Sequence, residues 1–139
     1  MRYIVALQIP EFIDKDVVLS IHEYLIERYG GSSGIRDPGL LESALAQPQA
    51  TFFGEFLHPT IADQAAAYLY HIAKNHPFVD GNKRTGFGVM EAFLRLNGYT
   101  LDFSDAEAYD IVLKVAKGEL EKAELSELLK TQLIKTSAD

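Results

Sequence analysis

The sequence predicts an all-α fold, a compact bundle of about six or seven helices with a short N-terminal strand, and three observations carry that reading. Apolar residues recur at helical spacing in segment after segment. The segments open on capping signals, Asp37-Pro38, Thr60 with Asp63, and Ser104 with Glu107. They close on Gly30-Gly31, Asn97-Gly98 and Gly118, residues that accept the positive φ of a helix end.

The elements follow in order. Tyr3 to Ile9 is apolar and partly β-branched, so it is expected to be extended until Pro10 ends it. Asp14 caps a helix through Tyr29 with a broad apolar face of Val17, Val18, Ile21, Tyr24, Leu25 and Ile26. A short helix follows from Pro38 through Leu45. Gln49 to His58 has aromatics but no period, and reads as loop or irregular helix. Ile61, Ala65, Leu69 and Ile72 mark the central helix, where Ala65-Ala66-Ala67 permits a close neighbour. A helix from Asn82 or Lys83 to about Leu96 buries Phe87, Met90, Phe93 and Leu94. Tyr99 to Phe103 is extended. A helix on Ala108, Ile111, Val112 and Val115 follows, then a last one carrying Leu125, Leu128, Leu129 and Leu133.

At 139 residues the chain suits a single domain, 1–139, with its own core. Its 47% hydrophobic and 24% charged residues are ordinary for a soluble protein. No apolar run approaches the ~20 residues of a membrane span. Without cysteine there is no disulfide, thiol nucleophile or thiolate metal site, and a cytoplasmic protein is the simplest reading. A net charge of −7 argues against a broad nucleic-acid footprint. It makes the Lys83-Arg84 pair conspicuous.

That pair ends the segment in which the chemistry concentrates, His76-Pro77-Phe78-Val79-Asp80-Gly81-Asn82-Lys83-Arg84. A glycine-containing loop runs into a helix there, so N–H groups near Gly81 to Arg84 lack intrahelical partners and form an anion cradle with the helix dipole. Lys83 and Arg84 add positive charge and Asn82 an amide donor. Cations at a helix N-terminus oppose the dipole, which favours a bound anion over a plain solvated turn. A carboxylate such as Asp80 beside phosphate makes sense when Mg²⁺ bridges the two. Histidine titrates near neutrality, so His76 can take a hydroxyl proton. Phe78 is expected in the core, holding the loop.

His76 through Thr85 resembles the active-site motif of the Fic/Doc superfamily, most closely its Doc (death-on-curing) branch. The likeness spans about residues 12–134. It includes Arg28-Tyr29-Gly30-Gly31, the run Gly34-Ile35-Arg36-Asp37-Pro38-Gly39-Leu40-Leu41-Glu42-Ser43-Ala44-Leu45, and Leu94-Arg95-Leu96-Asn97-Gly98-Tyr99. Fic adenylyltransferases usually carry glycine where this chain has Lys83, and a second arginine where it has Phe87. In them those positions serve the β- and γ-phosphates of an ATP attacked at its α-phosphorus. The Doc branch carries lysine, binds ATP reversed and transfers the γ-phosphoryl group.

The resemblance therefore implies the kinase toxin of a toxin–antitoxin pair, acting on elongation factor Tu and halting translation. It implies His76 as base, Asp80 as Mg²⁺ ligand directly or through water, and Gly81, Asn82, Lys83 and Arg84 around the phosphates of ATP. The family's inhibitory motif (Ser/Thr, three residues, Glu, then Gly or Asn) has only a chance match in Thr51 to Glu55, so restraint is expected from a separate antitoxin, in an apolar groove beside the N-terminal helices. AMP transfer to a protein hydroxyl, and a silent nucleotide- or partner-binding module, are the alternatives.

The remaining candidates read as structural: His22 in the first helix, His58 in a loop, His71 in helix packing, and Arg36-Asp37 as a local ion pair and cap. The four histidines lack zinc-ligand spacing. Phe52, Phe53, Phe56, Tyr68 and Tyr70 read most simply as core, with a groove or adenine as their other use. The Lys and Glu run from Glu119 to Lys130 reads as solvated helix surface.

Overall fold

The computed structural model describes residues 9–136, so all but Ile9 of the expected N-terminal strand lies outside the described residues. Six α-helices appear there: α1 Lys15–Tyr29, α2 Pro38–Ala46, α3 Ile61–Asn75, α4 Asn82–Leu96, α5 Asp105–Ala116 and α6 Lys122–Gln132. The short strands β1 Thr51–Phe52 and β2 Glu55–Phe56 form one antiparallel pair, and β3 Tyr99–Leu101 and β4 Leu133–Lys135 another. The fold is mainly helical, as predicted.

The capping signals act as read. Asp37 accepts from the Leu40 N–H, and Thr60/Asp63 and Ser104/Glu107 each make the reciprocal pair that satisfies two orphan donors. Asp14 holds the N-cap position of α1 without a side-chain bond.

Helix α3 is the axis of the bundle and touches α2, α4, α5 and α6. Ala65, Ala66 and Ala67 are wholly buried, and these small side chains let neighbours approach closely. One close approach is at Gly86 of α4, where an added Cβ would stand 3.1 Å from Leu69 Cδ1 and 3.3 Å from its carbonyl oxygen. Around this contact Tyr68, Leu69, Ile72, Phe78, Met90 and Phe93 form one buried cluster. Each contributes roughly 1.5–3 kcal/mol by leaving water. A side chain at Gly86 would press on Leu69, which would have to give by a few tenths of an ångström.

Several expectations need correction. Gln47–Gln49 is a 3₁₀ turn and Thr51–Phe56 a hairpin, so this segment is not an irregular helix. Its tip exposes Phe52 and Phe53, which are therefore not core, while Phe56 packs edge-on against Phe12. Leu133 leaves α6 and pairs with Leu101 across β3/β4. Phe87 is only half-buried: it packs on the edge of the core and also lines a cleft. On α1 the buried residues are Val18, His22 and Ile26, with Val17 and Tyr24 left exposed.

Candidate active site

The loop between α3 and α4 is built by local constraints at both of its ends. His76 terminates α3 in the left-handed region, at φ 56° and ψ 51°, a conformation that costs a non-glycine residue about 1–3 kcal/mol. Gly81, at φ 76°, opens α4 at no such cost. Between them Phe78 is fully buried and stacks on the buried His22 ring, centroids 3.9 Å apart. The His22 Nε2–H donates to the Asp80 carbonyl at 2.8 Å. His22 is thus structural, as read, but its task is to brace the site loop.

Asn82 ties the loop to itself. Its Oδ1 accepts from the Phe78 N–H at 2.8 Å, and its Nδ2 donates to the Phe78 carbonyl at 2.9 Å. A backbone N–H can only donate, so this pairing orients the amide. Its second hydrogen then points at His76 Nδ1, 3.0 Å away. While Asn82 donates there, the neutral imidazole carries its proton on Nε2 and its lone pair on Nδ1. Both amide hydrogens of Asn82 are used inside the loop.

Asp80 sits at the rim with its carboxylate held by two backbone donors, Gly81 N–H at 2.9 Å and Ser32 N–H at 3.2 Å. Gly31 permits this approach: an added Cβ there would lie 2.7 Å from Asp80 Oδ2. The carboxylate keeps lone pairs for a hard cation. No group of three or more His, Cys, Asp or Glu side chains among the described residues could hold a metal unaided. A single carboxylate is what Mg²⁺ takes where phosphate oxygens and water complete its shell, and Asp80 is the residue of this loop that could offer one.

The start of α4 has no side-chain cap, and its first N–H bond is Thr85 to the Gly81 carbonyl at 2.9 Å. The N–H groups of Asn82, Lys83 and Arg84 precede it and face outward with the positive end of the helix dipole. Lys83 and Arg84 are exposed, and neither has a carboxylate within ion-pair distance among the described residues. Arg84 rests instead on the Tyr29 ring at the end of α1, 4.6 Å from its centroid.

These groups form one wall of a cleft of ≈ 360 Å³, within the usual range for small-molecule sites. The opposite wall is apolar and comes from Phe87 of α4 and Ala108, Tyr109, Val112 and Leu113 of α5. All six sequence-predicted residues, His76, Asp80, Gly81, Asn82, Lys83 and Arg84, line this cleft.

Sequence reasoning missed the α5 wall and the undersides of the site. One signal was present: α5 carries more apolar residues than a single buried stripe needs, and Tyr109 is the surplus. Arg36 was also misread. It makes no ion pair with Asp37 but donates from Nε to the His76 carbonyl at 2.7 Å and from Nη2 to the Asn75 carbonyl at 3.0 Å. The other histidines are remote: His58 precedes α3, and His71, on α3, accepts from Lys122 Nζ at 3.0 Å. Burial, then the Lys122 charge, pushes the His71 pKa down to about 4.

A buried α3, a left-handed histidine at its end, a glycine turn and an uncapped cationic helix start thus meet in one short loop. Residues 12–94 match the model of the Fic/DOC family, and the chain belongs to that family. It is 42% identical over 108 residues to a Mycolicibacterium smegmatis protein named Toxin Doc, covering 76% of this chain and 81% of that one. It is also 32% identical over 118 residues to the Protein kinase doc of Escherichia phage P1, covering 85% and 92%. No described helix is long and apolar enough to cross a membrane.

Proposed function

We propose that this chain is the toxin of a toxin–antitoxin pair, an ATP-dependent protein kinase that phosphorylates a hydroxyl of a translation factor, elongation factor Tu by family resemblance. The observation that carries the reading is the uncapped start of α4 with two cations that no carboxylate neutralises among the described residues. Protein stability alone does not favour that arrangement, whereas a polyphosphate does. Likeness to a protein named as a kinase favours phosphoryl transfer.

In this reading the phosphates lie on the N–H groups of residues 82–84, between Lys83 and Arg84, and the nucleoside packs on the apolar α5 wall. Mg²⁺, held by Asp80 with phosphate oxygens, would neutralise charge that develops during transfer. The target hydroxyl gives its proton to the His76 Nδ1 lone pair, exchanging the Asn82 N–H for the incoming O–H. Its oxygen bonds to the γ-phosphorus as the bond to the bridging oxygen breaks, and ADP leaves with the electron pair. The Asn82 side chain serves as the holder of His76, since its amide hydrogens are engaged in the loop, and only its backbone N–H faces the phosphates.

Restraint comes from the antitoxin in trans. The chance match at Thr51–Glu55 cannot supply it, because that hairpin precedes α3 while His76 follows it. Fifteen residues of α3, about 22 Å at 1.5 Å each, separate the two. An antitoxin segment has exposed apolar residues to cover at Val17, Tyr24 and Tyr29 of α1.

The test is incubation with Mg²⁺, elongation factor Tu and ATP labelled at the α or γ position. Label from γ alone is expected, with His76→Ala lowering the rate by roughly 10²–10⁴-fold. Label from α would make the chain an adenylyltransferase. Nucleotide binding without transfer to any protein would make it a silent module.

A further inference from the structure

We infer that Arg36 is a positioning residue for His76, holding the base in its left-handed backbone conformation from outside the motif. The inference rests on the reading of His76 as the base and adds a part played by a residue of the α1–α2 connection.

The last carbonyls of a helix have no intrahelical partners and carry the negative end of its dipole. At the end of α3 two successive ones, Asn75 and His76, receive the two arms of a single guanidinium, Nη2 at 3.0 Å and Nε at 2.7 Å. A planar fork matches two adjacent acceptors in a way a point charge does not. The same short segment also grips by its backbone. Arg36 N–H and Asp37 N–H both donate to the Pro77 carbonyl, at 2.7 and 3.0 Å, and Val79 N–H donates to the Gly34 carbonyl at 3.0 Å. Ile35 and Phe78 form an antiparallel bridge in the middle of these bonds.

His76 needs this support. It is one of two non-glycine residues at positive φ among those described, and the other, Phe53, lies at the exposed hairpin tip. Asn82 aims the imidazole from the α4 side, while Arg36 fixes the backbone that bears it from the α2 side. With the guanidinium gone, the peptide after His76 loses its charged partner and the residue can relax toward ordinary φ. The ring then swings off its bond to Asn82. A misplacement of about 1 Å at a reacting group can cost as much as 10²-fold in rate. Arg36 makes both its bonds to main-chain carbonyls, so this loss falls on kcat and spares the affinity for nucleotide.

The experiment compares wild type, Arg36→Ala and Arg36→Lys as full chains, in initial-rate assays with Mg²⁺, labelled ATP and elongation factor Tu. Arg36→Ala is expected to lower kcat by roughly 10- to 100-fold with KM for ATP changed less than about twofold. Arg36→Lys should restore part of kcat, because an ammonium can serve one of the two carbonyls. In parallel, ¹⁵N-edited NMR follows the Asn82 side-chain amide, assigned by its loss in Asn82→Ala. Its hydrogen facing Nδ1 should move toward the free-amide position in Arg36→Ala. If that variant does not fold, Arg36→Lys carries the same comparison. An unchanged kcat, a loss confined to KM for ATP, or an unmoved Asn82 amide would overturn the role. Should wild type transfer neither label, the kinase reading falls by itself and the Asn82 amide decides on Arg36.

Discussion

The two ends of α4 carry the same device with different results. At the C-terminal end the buried Asn97 clamps a remote peptide: its Oδ1 accepts from Glu11 N–H at 2.8 Å and its Nδ2 donates to the Glu11 carbonyl at 2.9 Å. At the N-terminal end Asn82 clamps Phe78 in the same two-bond fashion. The remaining amide hydrogen separates them. That of Asn97 goes back to the Phe93 carbonyl at 2.8 Å and closes the helix, whereas that of Asn82 goes to an imidazole. Around Asn97 helix and strand bonds continue into β3; around Asn82 a row of N–H groups is left open beside two cations. A site arises here where an ordinary structural clamp is left with something unfinished next to it.

The comparison breaks most decisively by removing both clamps in turn. Asn82→Ala releases the His76 ring from its set orientation and loosens Phe78, so transfer should fall by at least about 10²-fold, and stability should fall as well. Asn97→Ala deletes bonds of a similar kind, at a cost of about 1–3 kcal/mol, but should leave kcat and KM unaltered. Urea denaturation and initial rates on both variants measure this. Equal losses of activity would mean that the amide clamp matters only for folding, and that the hydrogen to His76 is incidental.

A second test sharpens the contrast by locating the acid sensitivity of the fold away from both ends of α4. His71 lies on α3 against α6, with its pKa pushed down to about 4 by burial and by Lys122. In the unfolded chain the ring takes its proton near pH 6.5. Between pH 6.5 and 4 the unfolded state therefore binds the extra proton, and stability falls as pH falls through that window. Above pH 6.5 the contribution is constant. The ring is half-buried, so solvent screening reduces the loss to on the order of 1–2 kcal/mol. Thermal melts of wild type and His71→Gln between pH 7 and 4 check it: the variant should show a shallower acid decline. A change in transfer rate above pH 6.5 then belongs to the site and not to unfolding of α3.

The same contrast separates what could be read in the sequence from what could not. The N-terminal end of α4 was legible because base, carboxylate, glycine and cations fall within the nine residues 76–84, where chemistry is local. The helix boundaries were legible for a similar reason, since capping boxes span only four residues. The hairpin over Thr51–Phe56 was not: strands of two residues are too short to show alternation. Nor was β4, whose partner β3 lies more than thirty residues earlier in the chain. Arg36 and Asp37 invited an ion pair by adjacency, yet the extended backbone sends one to α3 and the other to its own helix. Tyr29 and Tyr109 meet the site only through tertiary packing, which no spacing encodes.

Tyr29 supplies the smallest and most specific test. Its ring lies beneath Arg84 with the guanidinium carbon 4.6 Å from the centroid, and both side chains are exposed. A cation–π contact in that setting is worth about 0.5–1 kcal/mol. If it pre-orders Arg84 for phosphate, Tyr29→Leu should raise KM for ATP about two- to fivefold and leave kcat alone. Tyr29→Phe keeps the ring face and should behave as wild type. A fall in KM in Tyr29→Leu would instead show that Tyr29 stows Arg84 away from the ligand, so that the ring competes with phosphate rather than presenting the cation to it. The two readings differ in sign, and because Arg84 has no carboxylate partner among the described residues, no ion pair obscures which is correct.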